Sequence, residues 1–298
     1  MSKSKNSLSS KTKVLICCHK ACELPKDDVF LPIQVGAAIS DVDLGMQRDD
    51  QVNGEPCDNI SGKNKSYCEL TAMYWALKNI RKIYPDLEYI GLNHYRRYFS
   101  FESKCFFSDF ITRPVYEIRN YNLPINKLEN YLKKEYVIVA KQKVYQYPLF
   151  IDYCMCHIRE DLTLTYKVLM ELYPDYEESF FRVIMEGCKL SPYNMTIMKW
   201  DKFESYCEWL FSILNEIEKR IDITNYSERQ KRIFGFLAER LFNVWIDKNC
   251  KKQKKLNVYR FDTEKKRNFI RFIVFFRNVI GNKLFYYPKK TLIEWLNT

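Results

Sequence analysis

The chain has 298 residues, 47% of them hydrophobic and 16% aromatic, which is enough apolar material for a sizeable core and excludes a disordered chain. Its formal charge of +11 is confined to one end: residues 248–298 hold 14 Lys or Arg against 3 Asp or Glu, so the first 247 residues are neutral. A nucleic-acid-binding protein would instead interleave basic residues with stacking aromatics on its main domain, so no nucleic-acid partner is expected.

Eleven cysteines in a chain of this length, with no signal-peptide pattern, read as reduced cytosolic thiols. Cys17, Cys18 and Cys22, and Cys154 with Cys156, lack the paired Cys-x-x-Cys spacing of a zinc site and read as small buried hydrophobes. No run reaches the ~18 apolar residues that cross a bilayer, so a soluble or peripheral protein is expected.

In chain order, residues 1–11 are Ser/Lys-rich and read as a disordered leader. Val14–Cys18 is a short apolar run ending at His19-Lys20, like the first strand of an α/β domain. Residues 23–62 are rich in turn formers and carboxylates, among them Asp41, Asp43, Asp49, Asp50 and Asp58, and read as a substrate-site loop closed by Asn59-Ile60-Ser61-Gly62-Lys63-Asn64. From Ser66 to Ile83 the spacing of Leu70, Met73, Tyr74, Leu77 and Ile80 predicts a helix, with Ser66 and Glu69 as a capping box. Tyr89–Leu92 reads as a buried strand that ends abruptly in Asn93-His94-Tyr95-Arg96-Arg97. A helix near Ile125–Lys133, a strand Tyr136–Ala140, a helical stretch after Asp161, a strand candidate within Ser191–Met198, and helices Phe203–Arg220 and Arg229–Ile246 follow. This alternation predicts an α/β domain with an open parallel sheet over residues 12–247.

In such a sheet, ligands sit beyond the carboxyl ends of the strands, which delivers His94, Arg96 and Arg97 to a cleft. Two guanidiniums suit a diphosphate, because each is a planar fork of donors whose charge does not titrate away. Either arginine could instead pair with a loop aspartate. For a general base, Glu239 stands in an otherwise apolar helix where burial would raise its pKa, with an ion pair to Arg240 or Arg232 as the alternative. Asp161 and Glu69 are rivals, the first also readable as a helix start. Asp58, Asn59 and Asn64 could orient sugar hydroxyls or simply make turns. His157 could contact phosphate or acceptor, or be a packed histidine.

Several blocks carry a family resemblance: Cys17-Cys18-His19-Lys20, Asp58-Asn59-Ile60-Ser61 with Lys63-Asn64 and Tyr67-Cys68-Glu69-Leu70-Thr71-Ala72, Tyr89 through Tyr98, Asn194-Met195-Thr196-Ile197-Met198, and Gly235 through Leu241. In that order, across residues 12–247, they resemble a bacterial glycosyltransferase family of capsule, exopolysaccharide and O-antigen clusters that includes galactofuranosyltransferase domains. The resemblance implies a GT-A-like nucleotide-sugar-binding open sheet flanked by helices. It implies transfer of a hexose, galactofuranose or galactopyranose, from a UDP-sugar to an undecaprenyl-linked saccharide, on the cytoplasmic face of the membrane.

Under that reading His19, Asp58, Asn59, Asn64, His94, Arg96 and Arg97 bind donor. Tyr95, His157 and Asn194 contact sugar or acceptor, and Glu239 or Asp161 is catalytic. Many GT-A enzymes end a central strand in a metal-holding Asp-x-Asp. Asp41-Val42-Asp43 has that spelling but lies in the turn-rich loop, so no metal ligand is assigned, no tightly bound cofactor is expected, and a divalent metal is not expected to be required. The alternatives are a non-catalytic scaffold of the same fold or a nucleic-acid-binding protein. Residues 248–298 read as a basic amphipathic helical tail in which Lys251–Lys255 and Lys265-Lys266-Arg267 flank the apolar stretch Phe269–Ile280, suited to an anionic membrane surface.

Overall fold

The computed structural model describes residues 11–102, 108, 110–262 and 268–284, with Glu294 and Leu296. The expected leader, the Lys265-Lys266-Arg267 cluster and nearly all of the chain after 284 lie outside the described residues. The chain begins with β1 (Thr12–Cys18), β2 (Phe30–Gln34), β3 (Gln47–Arg48) and a small ribbon of β4 (Gln51–Val52) and β5 (Glu55–Pro56). Helices α1 (Asn64–Tyr67) and α2 (Leu70–Ile83) lead to β6 (Tyr89–His94), β7 (Arg97–Ser100), β8 (Phe110–Pro114), α3 (Ile125–Leu132) and β9 (Val137–Ala140). Then come β10 (Lys143–Val144), α4 (Leu149–Cys156), α5 (Arg159–Leu172), α6 (Glu177–Phe180), β11 (Lys189–Leu190) and β12 (Thr196–Lys199). Helices α7 (Trp200–Arg220) and α8 (Ile233–Asn249), strand β13 (Gln253–Asp262) and α9 (Asn268–Leu284) complete the described chain.

Among the described residues nine strands form one sheet, β12-β9-β13-β7-β6-β1-β2-β3, with β8 paired to β13 and a further β12–β6 pairing. It is mixed, which corrects the expectation of an open parallel sheet. β1 is parallel to β2 and β6, whereas β12 runs antiparallel to both β6 and β9. Because side chains alternate across a strand, the run Val14–Cys18 feeds two cores. Leu15 and Cys17 pack with Ile90, Leu92 and the helices α2, α7 and α8, while Val14, Ile16 and Cys18 pack with Ile197, Leu128 and Leu132 on the other face. Both faces are covered, so the strand reads as continuously apolar and not as an alternating pattern.

Two expected boundaries move. The helix foreseen over 66–83 breaks at Cys68, whose φ of 53° and ψ of −129° cannot continue it. Ser66 gives its hydroxyl to the Lys63 carbonyl at 3.1 Å, so the capping box is not made. The expected domain limit at residue 247 also shifts, because β13, counted in sequence as tail, is an inner strand bonded to β7, β8 and β9. Leu256, Asn257, Val258 and Phe261 of this strand are buried.

Gly91 sits where β12 crosses closest to β6. A Cβ there would stand 2.8 Å from Ile197 Cγ1, 2.9 Å from the Thr196 carbonyl oxygen and 3.2 Å from Val14 Cγ2. Gly91→Ala should therefore destabilise the fold by about 1–3 kcal/mol through overpacking, read as a lower urea midpoint at unchanged m-value. An unchanged midpoint would contradict this packing.

Candidate functional site

β1 and β6 are parallel and in register, with Cys17 opposite His94, so their carboxyl ends open at the same edge of the sheet. A cavity of about 520 Å³ lies there, walled by Cys17, His19, His94, Tyr95 and Arg97 from the strand ends, Val35 after β2, Asn64, Lys65, Cys68 and Glu69 from the α1–α2 junction, Tyr193 before β12, and Arg232 and Glu239 of α8 and its approach.

The cavity is organised on a backbone turn at Tyr193 and Asn194, both left-handed, with φ of 74° and 52°. Neither is glycine, so the conformation has to be held from outside. His94 Nε2 donates to the Tyr193 carbonyl at 2.8 Å, which fixes the proton on that nitrogen because a carbonyl can only accept. The Tyr193 N–H donates to Glu239 Oε1 at 2.8 Å, and Asn194 Nδ2 donates to Glu69 Oε1 at 2.8 Å. One helical turn beyond Glu239, on the same face of α8, Asn243 accepts the Ser191 N–H at 2.8 Å and donates back to the Ser191 carbonyl at 3.0 Å. Two carboxyl groups from distant parts of the chain are thus fastened to adjacent residues.

Burial raises the pKa of both carboxyls above the ordinary range. For Glu69 the Asn194 hydrogen bond partly opposes the rise; for Glu239 the Arg240 charge opposes it and Glu69 adds to it. Burial, with help from Arg97, lowers His94 to about 4, so it is a neutral imidazole at pH 7. Arg97 lies over the Tyr193 ring, 4.5 Å from its centroid, with a buried Nε that has no hydrogen-bond partner among the described residues. Arg232 Nε donates to the Cys68 sulfur at 3.3 Å. The site therefore pairs cationic forks, suited to an anion, with two carboxyls whose hold on a proton is strengthened by burial.

The sequence candidates divide. His19, Asn64, His94, Tyr95, Arg97 and Glu239 meet in the cavity, and Asn194 is tied to it through Glu69. Arg96 does not share it with Arg97. Arg96 is, with Tyr95, one of the two turn residues of the hairpin closed by His94 opposite Arg97, and from that turn it lines a separate groove, whereas Arg97 opens β7 and lines the cavity. Asp58 accepts the Tyr74 hydroxyl at 3.1 Å, and Asn59 makes a turn by accepting the Ser61 N–H at 3.0 Å; both hold the loop and neither lines the cavity. His157 packs on Phe236 at 4.1 Å and bonds Gln230 at 3.2 Å, away from the lining residues. Asp161 is buried at the start of α5, accepts the Tyr226 hydroxyl at 2.7 Å and is pushed up to about 6 by burial, also outside the lining.

The carboxylate-rich loop folds on itself. Asp49 accepts the N–H groups of Gly36 and Ala37 at 2.8 and 3.0 Å, and Asp50 takes a bidentate bond from Arg48. Asp41 and Asp43 are exposed, Asp43 accepting the Gly45 N–H at 2.8 Å. No group of three or more His, Cys, Asp or Glu among the described residues is arranged to hold a metal, and the described cysteines are all free thiols. Cys68 and Lys65 are not singled out by the sequence as site residues, and Glu69 reads from it both as a rival base and as the capping partner of Ser66. The signal for Glu69 was only its place beside a helix start.

Glu239→Gln keeps an acceptor for the Tyr193 N–H and removes a carboxyl whose folded pKa is raised. Such a group's stability is present below the unfolded value and lost as pH rises through the folded one. The melting temperature of Glu239→Gln should therefore gain on the wild type between pH 4 and pH 8. Glu239→Ala should lose about 1–3 kcal/mol by orphaning the N–H. A pH-independent difference for Glu239→Gln would contradict the raised pKa.

A family model described as a domain of unknown function (DUF4422) matches residues 13–252, a span that contains every cavity residue. No curated protein matches the chain. The apo structure of the WbbM bifunctional glycosyltransferase is similar, with a TM-score of 0.73 and 29% identity over 85% of this chain and 45% of that one. This chain thus spans less than half of that protein's length. With four-fifths of its residues inside the family model, the chain belongs to the DUF4422 family.

Proposed function

We propose that the chain is a glycosyltransferase of GT-A-like fold that moves a hexose, galactofuranose or galactopyranose, from a UDP-sugar to a hydroxyl of a lipid-linked saccharide in the synthesis of a surface polysaccharide. The observation that carries this is the cavity that joins Arg97 and Arg232 to Glu69 and Glu239 on one held turn. The likeness to a glycosyltransferase at 29% identity supports it.

In this reading Arg97 and Arg232 receive the donor diphosphate, and their positive charge grows in value as the leaving group gains charge, while neutral His94 holds the Tyr193 turn beside them. Glu239 takes the proton of the acceptor hydroxyl. The freed oxygen forms its bond to the anomeric carbon, and the carbon–oxygen bond to the diphosphate breaks with its electron pair on the diphosphate. A direct displacement of this kind inverts the anomeric centre. Asn64 and Tyr95 orient the sugar. Because guanidiniums supply the charge, no divalent metal is required.

Thermal shift with UDP-galactopyranose, UDP-galactofuranose and UDP-glucose, each in EDTA and in Mn²⁺, tests the donor site. One UDP-hexose should raise the melting temperature in EDTA, and Arg97→Ala should abolish the rise. Glu239→Gln should still bind and transfer roughly 10²–10⁴ times more slowly. Stabilisation only with Mn²⁺ would overturn the metal-independent part, and no stabilisation by any nucleotide sugar would overturn the whole reading.

The reading includes a membrane surface as partner. Asn278 in α9 is buried and donates to the Val144 carbonyl at 2.7 Å, which docks the helix while Phe272, Ile273, Val274, Phe276 and Ile280 remain exposed. No helix among the described residues is long and apolar enough to cross a membrane, so α9 would lie in the headgroup layer, helped by about 1 kcal/mol for each neighbouring Lys or Arg. The full chain should sediment with phosphatidylglycerol vesicles in low salt and far less after Phe272→Glu with Phe276→Glu. Equal recovery of wild type and variant would contradict this.

A further inference from the structure

A second groove, of about 470 Å³, adjoins the cavity and shares one wall with it, the side chain of Tyr95. Lys20 and Arg96 stand on that wall, with Nζ 5.8 Å and the guanidinium carbon 5.3 Å from the ring centroid, and His19 meets the same ring edge-on at 5.0 Å. The floor is Val115 and Ile118. The one carboxylate of the groove, Glu23, is already engaged by Arg119, with Nη2 to Oε1 at 2.8 Å, which leaves Lys20 and Arg96 without an ion-pair partner among the described residues. Their field is felt next door. The His19 imidazole is held below its ordinary value by burial first, then by Lys20, Arg232 and Arg96.

The backbone that carries these cations is fixed. Tyr95 N–H bonds the Cys17 carbonyl at 3.2 Å, and the Arg96 carbonyl accepts the Phe261 N–H at 2.9 Å, so the hairpin tip is fastened to β1 on one side and β13 on the other. Two uncommitted cations above an apolar floor suit a phosphate attached to an apolar or planar body. The groove lies across a single ring from the carboxyl groups, so a ligand seated there could reach the cavity with its other end.

We propose that this groove is a phosphate-binding subsite, built by Lys20 and Arg96 and distinct from the Arg97 cavity, which holds the phosphorylated end of the acceptor while the donor occupies the cavity. The proposal rests on the glycosyltransferase reading for the identity of the two substrates, but the phosphate site itself does not.

Isothermal titration of the full chain with UDP, geranyl diphosphate and inorganic pyrophosphate tests it on the wild type, on Lys20→Ala with Arg96→Ala, and on Arg97→Ala. The double variant should weaken geranyl diphosphate at least tenfold and UDP less than twofold, and Arg97→Ala should do the reverse. Loss of UDP affinity instead in the double variant would keep the phosphate subsite and overturn its assignment to the acceptor. Unchanged affinity of the double variant for all three probes, or no binding of geranyl diphosphate and pyrophosphate by the wild type, would overturn the subsite. A wild type that binds pyrophosphate through Lys20 and Arg96 but no UDP would sink the glycosyltransferase reading and leave the subsite standing.

Discussion

The site depends on a two-residue turn that should not be stable alone. Left-handed backbone at Tyr193 and Asn194 costs roughly 1–2 kcal/mol per residue. Three hydrogen bonds hold it: one from the neutral His94 imidazole, contributing about 0.5–1.5 kcal/mol, and one each to Glu239 and Glu69, contributing about 1.5–3 kcal/mol where the carboxyl is ionised. The turn is therefore stable only when β6, α8 and the start of α2 are all in place. The dependence runs both ways, because the same bonds fix the two carboxyls and the imidazole in the cavity wall. One further non-glycine residue of the site with positive φ, Cys68, is likewise held, by the Arg232 guanidinium on its sulfur and by the close approach of Gly235. Backbone strain gathered at a cavity is a common mark of a functional centre.

The sheet supplies the rigidity this needs. β6 is bonded to β1 on one side and to β12 on the other, and Gly91 permits the close passage of β12 that brings Tyr193 over His94. α8 is buried around most of its circumference, so Glu239 and Asn243 are presented from a helix that cannot rotate without opening the core. Arg240 is nearly fully buried, with its charge near Glu239 at 3.4 Å and Asp152 at 3.8 Å and its guanidinium by the Tyr153 ring. It braces the helix, and Glu239 turns the other way into the cavity. The ion-pair reading of Glu239 is thus met by Arg240 at Oε2, while Oε1 accepts the Tyr193 N–H at the cavity wall.

Much of this was legible in the sequence. The apolar runs at Val14–Cys18 and Tyr89–Leu92 marked parallel strands, and the polar cluster after the second marked the cavity, because strand ends are where an α/β sheet leaves backbone and side chains free. The helices at 203–220 and 229–246 followed from their periodicity, with ends displaced by a few residues. What was not legible is pairing at a distance. Nothing local says that β13 is an inner strand, since its Lys254-Lys255 pair continues the basic run that opens at Lys251 and reads as tail. Nor could sequence tell that Asp49 and Asp50 are consumed in holding their own loop, or that Glu69 and Asn194, 125 positions apart, touch. Nor does the local sequence show that Arg96 falls in the hairpin turn while Arg97 opens β7, which puts the two arginines in different grooves.

The measurement closest to the centre of this account is a structure of the chain with a UDP-hexose bound. The account predicts the diphosphate within hydrogen-bonding distance of Arg97 and the anomeric carbon facing Glu239, with the Tyr193–Asn194 turn unchanged. A nucleotide sugar bound elsewhere, or a turn that rearranges so that Glu239 leaves the cavity, would contradict it.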